Sequence, residues 1–144
     1  MPETDTRTEA DTLAKAELDG LTAEFFGAFD NRHGGPADVG RLRRLMLPGG
    51  VIVVTSPRYA AYGVEEFIAP RELLLSGGRL TDFHEWETGE RTEIADGVAC
   101  RIGTYRKSGL LDGEPYEGTG TKTFQFARTP DGWRITAFSW HDEP

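Results

Sequence analysis

The sequence predicts an α+β domain in which helices come first and a strongly curved antiparallel sheet follows, its inward face covered by those helices. Three observations carry this expectation. From Arg79 to Asp142 the chain reads as about four strands, separated by turn signals at Ala95-Asp96-Gly97, Leu111-Asp112-Gly113-Glu114 and Thr129-Pro130-Asp131-Gly132. Upstream, Ala14, Leu18, Leu21, Phe25 and Phe29 recur at helical spacing and form one apolar stripe. The 144 residues, 38% hydrophobic and 28% charged, suit one soluble globular domain large enough to bury a core.

In order, residues 1–10 are polar, lack an apolar period and are expected to be flexible, leaving residues 11–144 as the single domain. The first helix is expected over about 11–31, stopping at His33-Gly34-Gly35-Pro36. A shorter helix over about 36–46 turns Val39, Leu42 and Leu45 inward and ends at Leu47-Pro48-Gly49-Gly50. Val51-Ile52-Val53-Val54 is a β-branched strand, followed by a loop carrying Arg58, Tyr59 and Tyr62. Val64, Phe67, Ile68, Leu74 and Leu75 predict a third helix, interrupted near Pro70, whose ring removes a backbone donor.

The turns set which side chains face the helices. A loop at 129–132 pairs Phe126 with Ile135, Phe124 with Ala137, Lys122 with Ser139 and Gly120 with His141, and this more apolar set is turned inward. A three-residue loop at 95–97 continues that face through Val98, Cys100 and Ile102 on one side and through Trp86, His84 and Asp82 on the other. A bulge near Thr88-Gly89 would reverse the parity upstream of it. A two-residue turn at Asp112-Gly113 would place Arg101 inside and Ile102 outside, so the apolar alternative is preferred.

Several function classes are disfavoured. A net charge of −8 opposes binding to the phosphates of nucleic acid and to anionic lipid. The longest apolar run is far shorter than the ~18 residues a membrane span needs. One cysteine permits no internal disulfide, so a cytoplasmic setting is expected, with Cys100 buried and inert. Three histidines and that cysteine show no metal-ligand spacing, so no metal is expected. Gly118-Thr119-Gly120 lies among strands and is no phosphate loop.

The expected inward surface has an apolar floor with polar groups at one end, the pattern of a small-molecule site. Asp82 and His84, two apart on a strand, share a face, and the carboxylate would orient the imidazole as a general acid/base. The alternative is a solvated strand-end aspartate beside a half-buried structural histidine. His141 and Lys122 would hold an oxyanion of the ligand, or else simply reach solvent at the sheet's end. Trp86, Phe25, Phe29 and Phe124 would wall the site, with Ser139 making room and Tyr59 on a covering loop; the same aromatics serve equally as ordinary core. Tyr105, Phe138 and Trp140 are expected on the outer face, where alternating aromatics mark a homodimer contact.

The stretches "AEFFGAFDN", "LTDFHEWET", "GTKTFQFARTPDGWRI" and the closing "SWHDE", in this order of elements, resemble the nuclear transport factor two-like superfamily with its SnoaL-like polyketide cyclases. The likeness spans about residues 13–142 and implies a cone-shaped α+β fold. Relatives with this fold include ketosteroid isomerases, scytalone dehydratase and limonene epoxide hydrolase, as well as proteins that only bind ligands or other proteins. The isomerases use an aspartate base with a tyrosine and a protonated aspartate on the enolate; none of these is matched to a residue here. The resemblance implies a pocket and leaves two functions open. One is cofactor-free isomerisation, cyclisation or dehydration of an apolar ketone- or polyketide-like molecule. The other is a non-catalytic ligand-binding or dimerisation module.

Overall fold

The computed structural model describes residues 2–144, with side chains from Glu9 onward, so most of the 1–10 stretch expected to be flexible lies outside the described side chains. Helix α1 (Pro2–Gly27) buries Ala14, Leu18, Leu21, Phe25 and Phe26, the stripe its spacing dictates. The second helical stretch is shorter than expected: a 3-10 turn at Val39–Arg41 leads into α2 (Leu42–Leu45), and strand β1 (Met46–Ser56) begins at the last residue of the expected helix and takes in residues 47–50, expected as its terminating turn. Tyr62 ends a short strand, β2 (Ala60–Tyr62), in the stretch expected to be a loop. Helix α3 (Val64–Ser76) runs through Pro70 without a break. Pro70 and Glu66, the residue four earlier whose carbonyl the ring leaves without a helical donor, are both exposed.

Strands β3 (Leu80–Ala95), β4 (Val98–Leu111), β5 (Glu114–Thr129) and β6 (Gly132–Asp142) complete a six-stranded sheet of order β2-β1-β6-β5-β4-β3. All neighbours are antiparallel except β1 and β6, which run parallel. The architecture is therefore the expected α+β one, with three helices on one face of a curved, unclosed sheet.

The face assignments differ from expectation, and the cause is local. Ala95 pairs with Val98, and Leu111 with Glu114, so both hairpins close on two residues, Asp96-Gly97 and Asp112-Gly113. Both aspartates adopt positive φ, as such tight turns require. A two-residue turn shifts β4 by one position against the expected register, which carries its whole side-chain set to the opposite face. Ala99, Arg101, Gly103 and Tyr105 point inward, and Val98, Cys100 and Ile102 are exposed. In β6 an extra residue, Thr136, separates the Phe126–Ile135 pair from Gln125–Ala137. Beyond that bulge Phe138, Trp140 and Asp142 face the helices, while Ala137, Ser139 and His141 face outward.

Asn31 ties the helices to the sheet. Its side-chain amide donates to the carbonyls of Leu75 (2.9 Å) and Leu80 (2.7 Å), and its Oδ1 accepts from Phe83 N at 2.7 Å. The end of α1, the end of α3 and the start of β3 thus meet at one buried side chain. Truncating it orphans three buried backbone groups. Asn31→Ala should cost about 3 kcal/mol or more in urea-induced unfolding, given roughly 1–3 kcal/mol for each buried group left unsatisfied; a loss under about 1 kcal/mol would show that the clamp is dispensable.

Candidate functional site

Between α1, α3 and strands β3–β6 the inward face encloses a cavity of about 350 Å³. Its walls are aromatic: Phe25 from α1, Phe29 from the turn that follows it, Phe67 from α3, Phe83 from β3, and Phe138 and Trp140 from β6. Phe25 meets Phe138 edge-on at 4.8 Å between ring centroids and Phe124, buried behind it, at 5.0 Å. Phe67 likewise meets Trp140 at 5.7 Å.

Charged groups converge on this apolar space. Lys122 Nζ lies 3.3 Å from Glu85 Oε1 and 4.0 Å from the centroid of the Tyr105 ring. Lys107 Nζ lies 3.2 Å from Asp142 Oδ2, and the Tyr105 hydroxyl donates to the other carboxylate oxygen of Asp142. Arg71 lies over the Phe67 ring at 3.8 Å and donates to the Phe67 carbonyl at 3.2 Å. Burial pulls the Lys122 ammonium below its ordinary pKa, against the attraction of Glu85. Burial and the Asp142 carboxylate both push the Tyr105 phenol upward, which keeps it a protonated donor. For Lys107 burial acts downward, yet Tyr116 and Asp142 outweigh it and the net shift is upward.

Glycines make this arrangement possible. Gly120 pairs with Tyr105 across β4 and β5, and a Cβ there would strike the Tyr105 hydroxyl and the His141 carbonyl. Gly118 pairs with Lys107, whose Cε would lie 2.9 Å from an added Cβ. The Gly-Thr-Gly segment thus gives two long inward side chains room to lie flat on the sheet.

Of the residues singled out from sequence, Lys122, Phe25 and Phe29 line the cavity, and Phe124 backs it. The others do not. Asp82 is exposed in a bulge at positive φ, and its extra position carries Phe83, in place of His84, to the inward side. His84 pairs with Ser108 and stacks on Trp86 at 4.4 Å on the convex face. Its Nδ1 is buried without a hydrogen-bond partner. His141 accepts or donates with Thr55 at 2.8 Å, and Ser139 with Thr123 at 2.7 Å, both on that same outer side. Tyr59 is 70% exposed and does not cover the cavity. Conversely, Tyr105, Phe138 and Trp140, expected on the outer face, turn inward, because the tight turn and the Thr136 bulge each shift parity by one.

Among the lining residues that sequence reasoning missed are the polar groups Glu85, Arg71, Lys107, Tyr116 and Asp142 and the aromatic walls Phe67, Phe83, Phe138 and Trp140. A signal for part of this was present. Counting back from a two-residue turn at Asp112-Gly113 sets Gly118 and Gly120 opposite Lys107 and Tyr105, pairing each large residue with a residue that has no side chain.

No protein-family model matches the chain, and no curated protein matches it in sequence. Solved structures do match in shape. A protein from Novosphingobium aromaticivorans DSM 12444, provisionally described as a scytalone dehydratase, superposes with a TM-score of 0.77 at 9% identity over 95% of this chain and 89% of that one. A nuclear transport factor 2-like superfamily protein from Salmonella enterica serovar Typhimurium LT2 gives 0.75 at 14% identity over 90% and 91%. LinA gives 0.72 at 17% identity over 94% and 90%. The chain therefore has the nuclear transport factor 2-like fold. At such identities the likeness speaks for the fold, and the chemistry must be argued from the cavity.

The Lys122–Glu85 pair gives a direct test of that cavity's electrostatics. Lys122→Met should destabilise the protein by about 3 kcal/mol, because it strands a half-buried carboxylate. The double variant Lys122→Met/Glu85→Leu should recover most of that loss in denaturant unfolding, since replacing a whole buried pair is often neutral. Additive losses in the two variants would mean the groups are not coupled.

Proposed function

We propose that the protein is a small-molecule pocket protein carrying out cofactor-free acid/base chemistry on a largely apolar ketone- or polyketide-like substrate, by isomerisation, cyclisation or dehydration. The observation that carries this reading is the convergence of Glu85, Lys122, Lys107 and Asp142 on one aromatic-walled cavity, with Tyr105 bracing Lys122 and Asp142 from beneath. The proton-handling roles expected of His84, Asp82 and His141 pass to these groups, because those three lie on the far side of the sheet.

In this reading Glu85, as carboxylate, removes a proton from the carbon next to the substrate carbonyl. The electron pair moves onto the carbonyl oxygen, where the Lys122 ammonium stabilises the enolate. Return of the proton to another carbon gives an isomer; departure of a β-hydroxyl, protonated by Lys122, gives water and an alkene. Asp142 and Lys107 hold Tyr105 in place beneath Lys122. The solved structure described as a scytalone dehydratase supports small-molecule chemistry on this fold. One observation favours a second reading, ligand binding without turnover: Lys122 with Glu85 and Lys107 with Asp142 form ion pairs within the cavity lining itself.

The two readings separate by deuterium exchange. Incubating the protein in D2O with a panel of enolisable cyclic ketones should accelerate α-proton exchange by NMR. Glu85→Gln should reduce that exchange at least about a hundredfold while leaving ligand binding in place. Bound ketone with no exchange in the wild-type protein would favour the binding module.

A homodimer through the outer sheet face accompanies this proposal. The residues that support it are Val51, Val98 and Ile102, exposed by 52%, 57% and 42%. Val51, Ala137, Gln125 and Cys100 form one register row across the sheet, and Val53, Ser139, Thr123 and Ile102 the next. A dimer mass by light scattering at tens of micromolar, reverting to monomer in Ile102→Glu, is the expected result; a wild-type monomer would count against it. Among the described residues no helix is long and apolar enough to cross a membrane, and the cytoplasmic setting stays part of the proposal.

A further inference from the structure

The cavity lining holds three cations, Arg71, Lys107 and Lys122, against two carboxylates, Glu85 and Asp142. Lys122 takes Glu85 and Lys107 takes Asp142. Among the described residues no carboxylate lies within ion-pair distance of Arg71. Of the other described arginines, Arg32, Arg41, Arg43, Arg79 and Arg101 each hold an aspartate or glutamate. Arg44, Arg58, Arg91, Arg106 and Arg128 hold none but are exposed to water, and Arg134 turns to the Trp133 carbonyl; Arg71 is partly buried and faces the cavity. Acidic residues outnumber basic ones by 24 to 16, so a shortage of anions does not account for a partly buried guanidinium without one.

The guanidinium of Arg71 is also fixed in pose. The Phe67 ring lies 3.8 Å below it, Tyr62 at 5.3 Å and Trp140 at 5.4 Å flank it, and one nitrogen is anchored on the Phe67 carbonyl. A stacked guanidinium leaves its edge free, and its planar fork of N–H donors matches a carboxylate in a two-point contact. Burial lowers its pKa by more than Tyr62, the more distant Glu85 carboxylate and Tyr116 raise it, so the group gains from an added anion.

We propose that Arg71 is an anion-binding residue and that the ligand of this cavity is an apolar, ring-bearing carboxylate, its acid group on Arg71 and its body between Phe25, Phe29, Phe138 and Trp140. This rests on the cavity being a ligand site and adds the substrate class: a keto acid or aromatic acid in place of a neutral ketone. The reacting carbon then lies toward Glu85 and Lys122; Arg71 and Lys122 each lie 5.4 Å from the Trp140 ring centroid. The 350 Å³ of the cavity accommodate one or two fused rings with a short acidic arm.

The test uses matched probes of equal shape: phenylacetate, 2-naphthylacetate and indole-3-acetate against the corresponding neutral 2-arylethanols, titrated by calorimetry at low salt. At least one acid should bind about tenfold or more tighter than its alcohol. Arg71→Met should abolish that preference and leave alcohol binding within about twofold, which also shows that the variant is folded. Arg71→Lys should restore part of the preference. Equal binding of acid and alcohol to the wild-type protein would overturn the anion site while leaving the cavity reading standing. A preference that survives in Arg71→Met would place the anion on another group and overturn the proposal. Binding of no acid and no alcohol would overturn the cavity reading and the proposal together.

Discussion

Everything at the cavity depends on strand alternation, which allows a side chain only two directions and makes a single inserted residue decisive. Thr136 is that residue in β6. Without it Ala137, Ser139 and His141 would continue the inward row begun by Ile135, and the helices would face a flat, small-residue surface. With it Phe138, Trp140 and Asp142 stand beside Phe124, Lys122 and Gly120. One backbone irregularity therefore supplies an aromatic wall, the indole ring near Arg71, and the carboxylate that fixes Tyr105. A comparable insertion at Asp82 turns Phe83 and Glu85 inward, and one between Glu87 and Gly89 ends the inward odd-numbered row of β3. The cavity's polarity is set by where these bulges fall.

The elements themselves were legible. Turn pairs such as Asp96-Gly97 and Asp112-Gly113 delimit the strands because few other residues accept the backbone angles of a two-residue hairpin. The helical stripe of α1 follows from its spacing and is buried as expected. What alternation could not reveal was its phase. Arg101 shows why: preferring Ile102 as the inward residue follows from the usual cost of burying a charge. Yet Arg101 is only 5% exposed and Ile102 is 42% exposed. The cost is met by partners distant in sequence, Glu87 at 2.6 Å and Asp19 of α1 at 2.7 Å. No local pattern around Arg101 announces those carboxylates. The same limit hid the candidate site: Asp142, Tyr105 and Glu85 acquire meaning only once three bulges and two tight turns have been placed. Lys122 and Phe25 escaped that limit because β5 and α1 contain no such interruption on their inward rows, and Phe29 follows in the turn that ends α1.

Two ionic clusters therefore lie on one sheet face, and their difference bears on function. Around Arg101 the donors are saturated: Glu87, Asp19 and Thr92 take its nitrogens, while Lys15 bridges Asp19 and Glu90 at the helix surface. This cluster fastens α1 to the edge of the sheet and lies outside the lining of the aromatic cavity. Around Lys122 the charges open onto 350 Å³ lined by rings, where apolar side chains of equal volume would stabilise the fold at least as well. A buried ion pair is weak support for stability, so charge retained beside a cavity calls for a different account. Tyr105 sharpens the point. Its ring needs a glycine opposite, its hydroxyl needs Asp142, and Asp142 needs Lys107, so four positions on three strands combine to hold one phenol beneath one ammonium. The phenol itself is given to Asp142 and stands outside the cavity lining, so the effect of this constraint is to brace Lys122, the ammonium that does face the cavity.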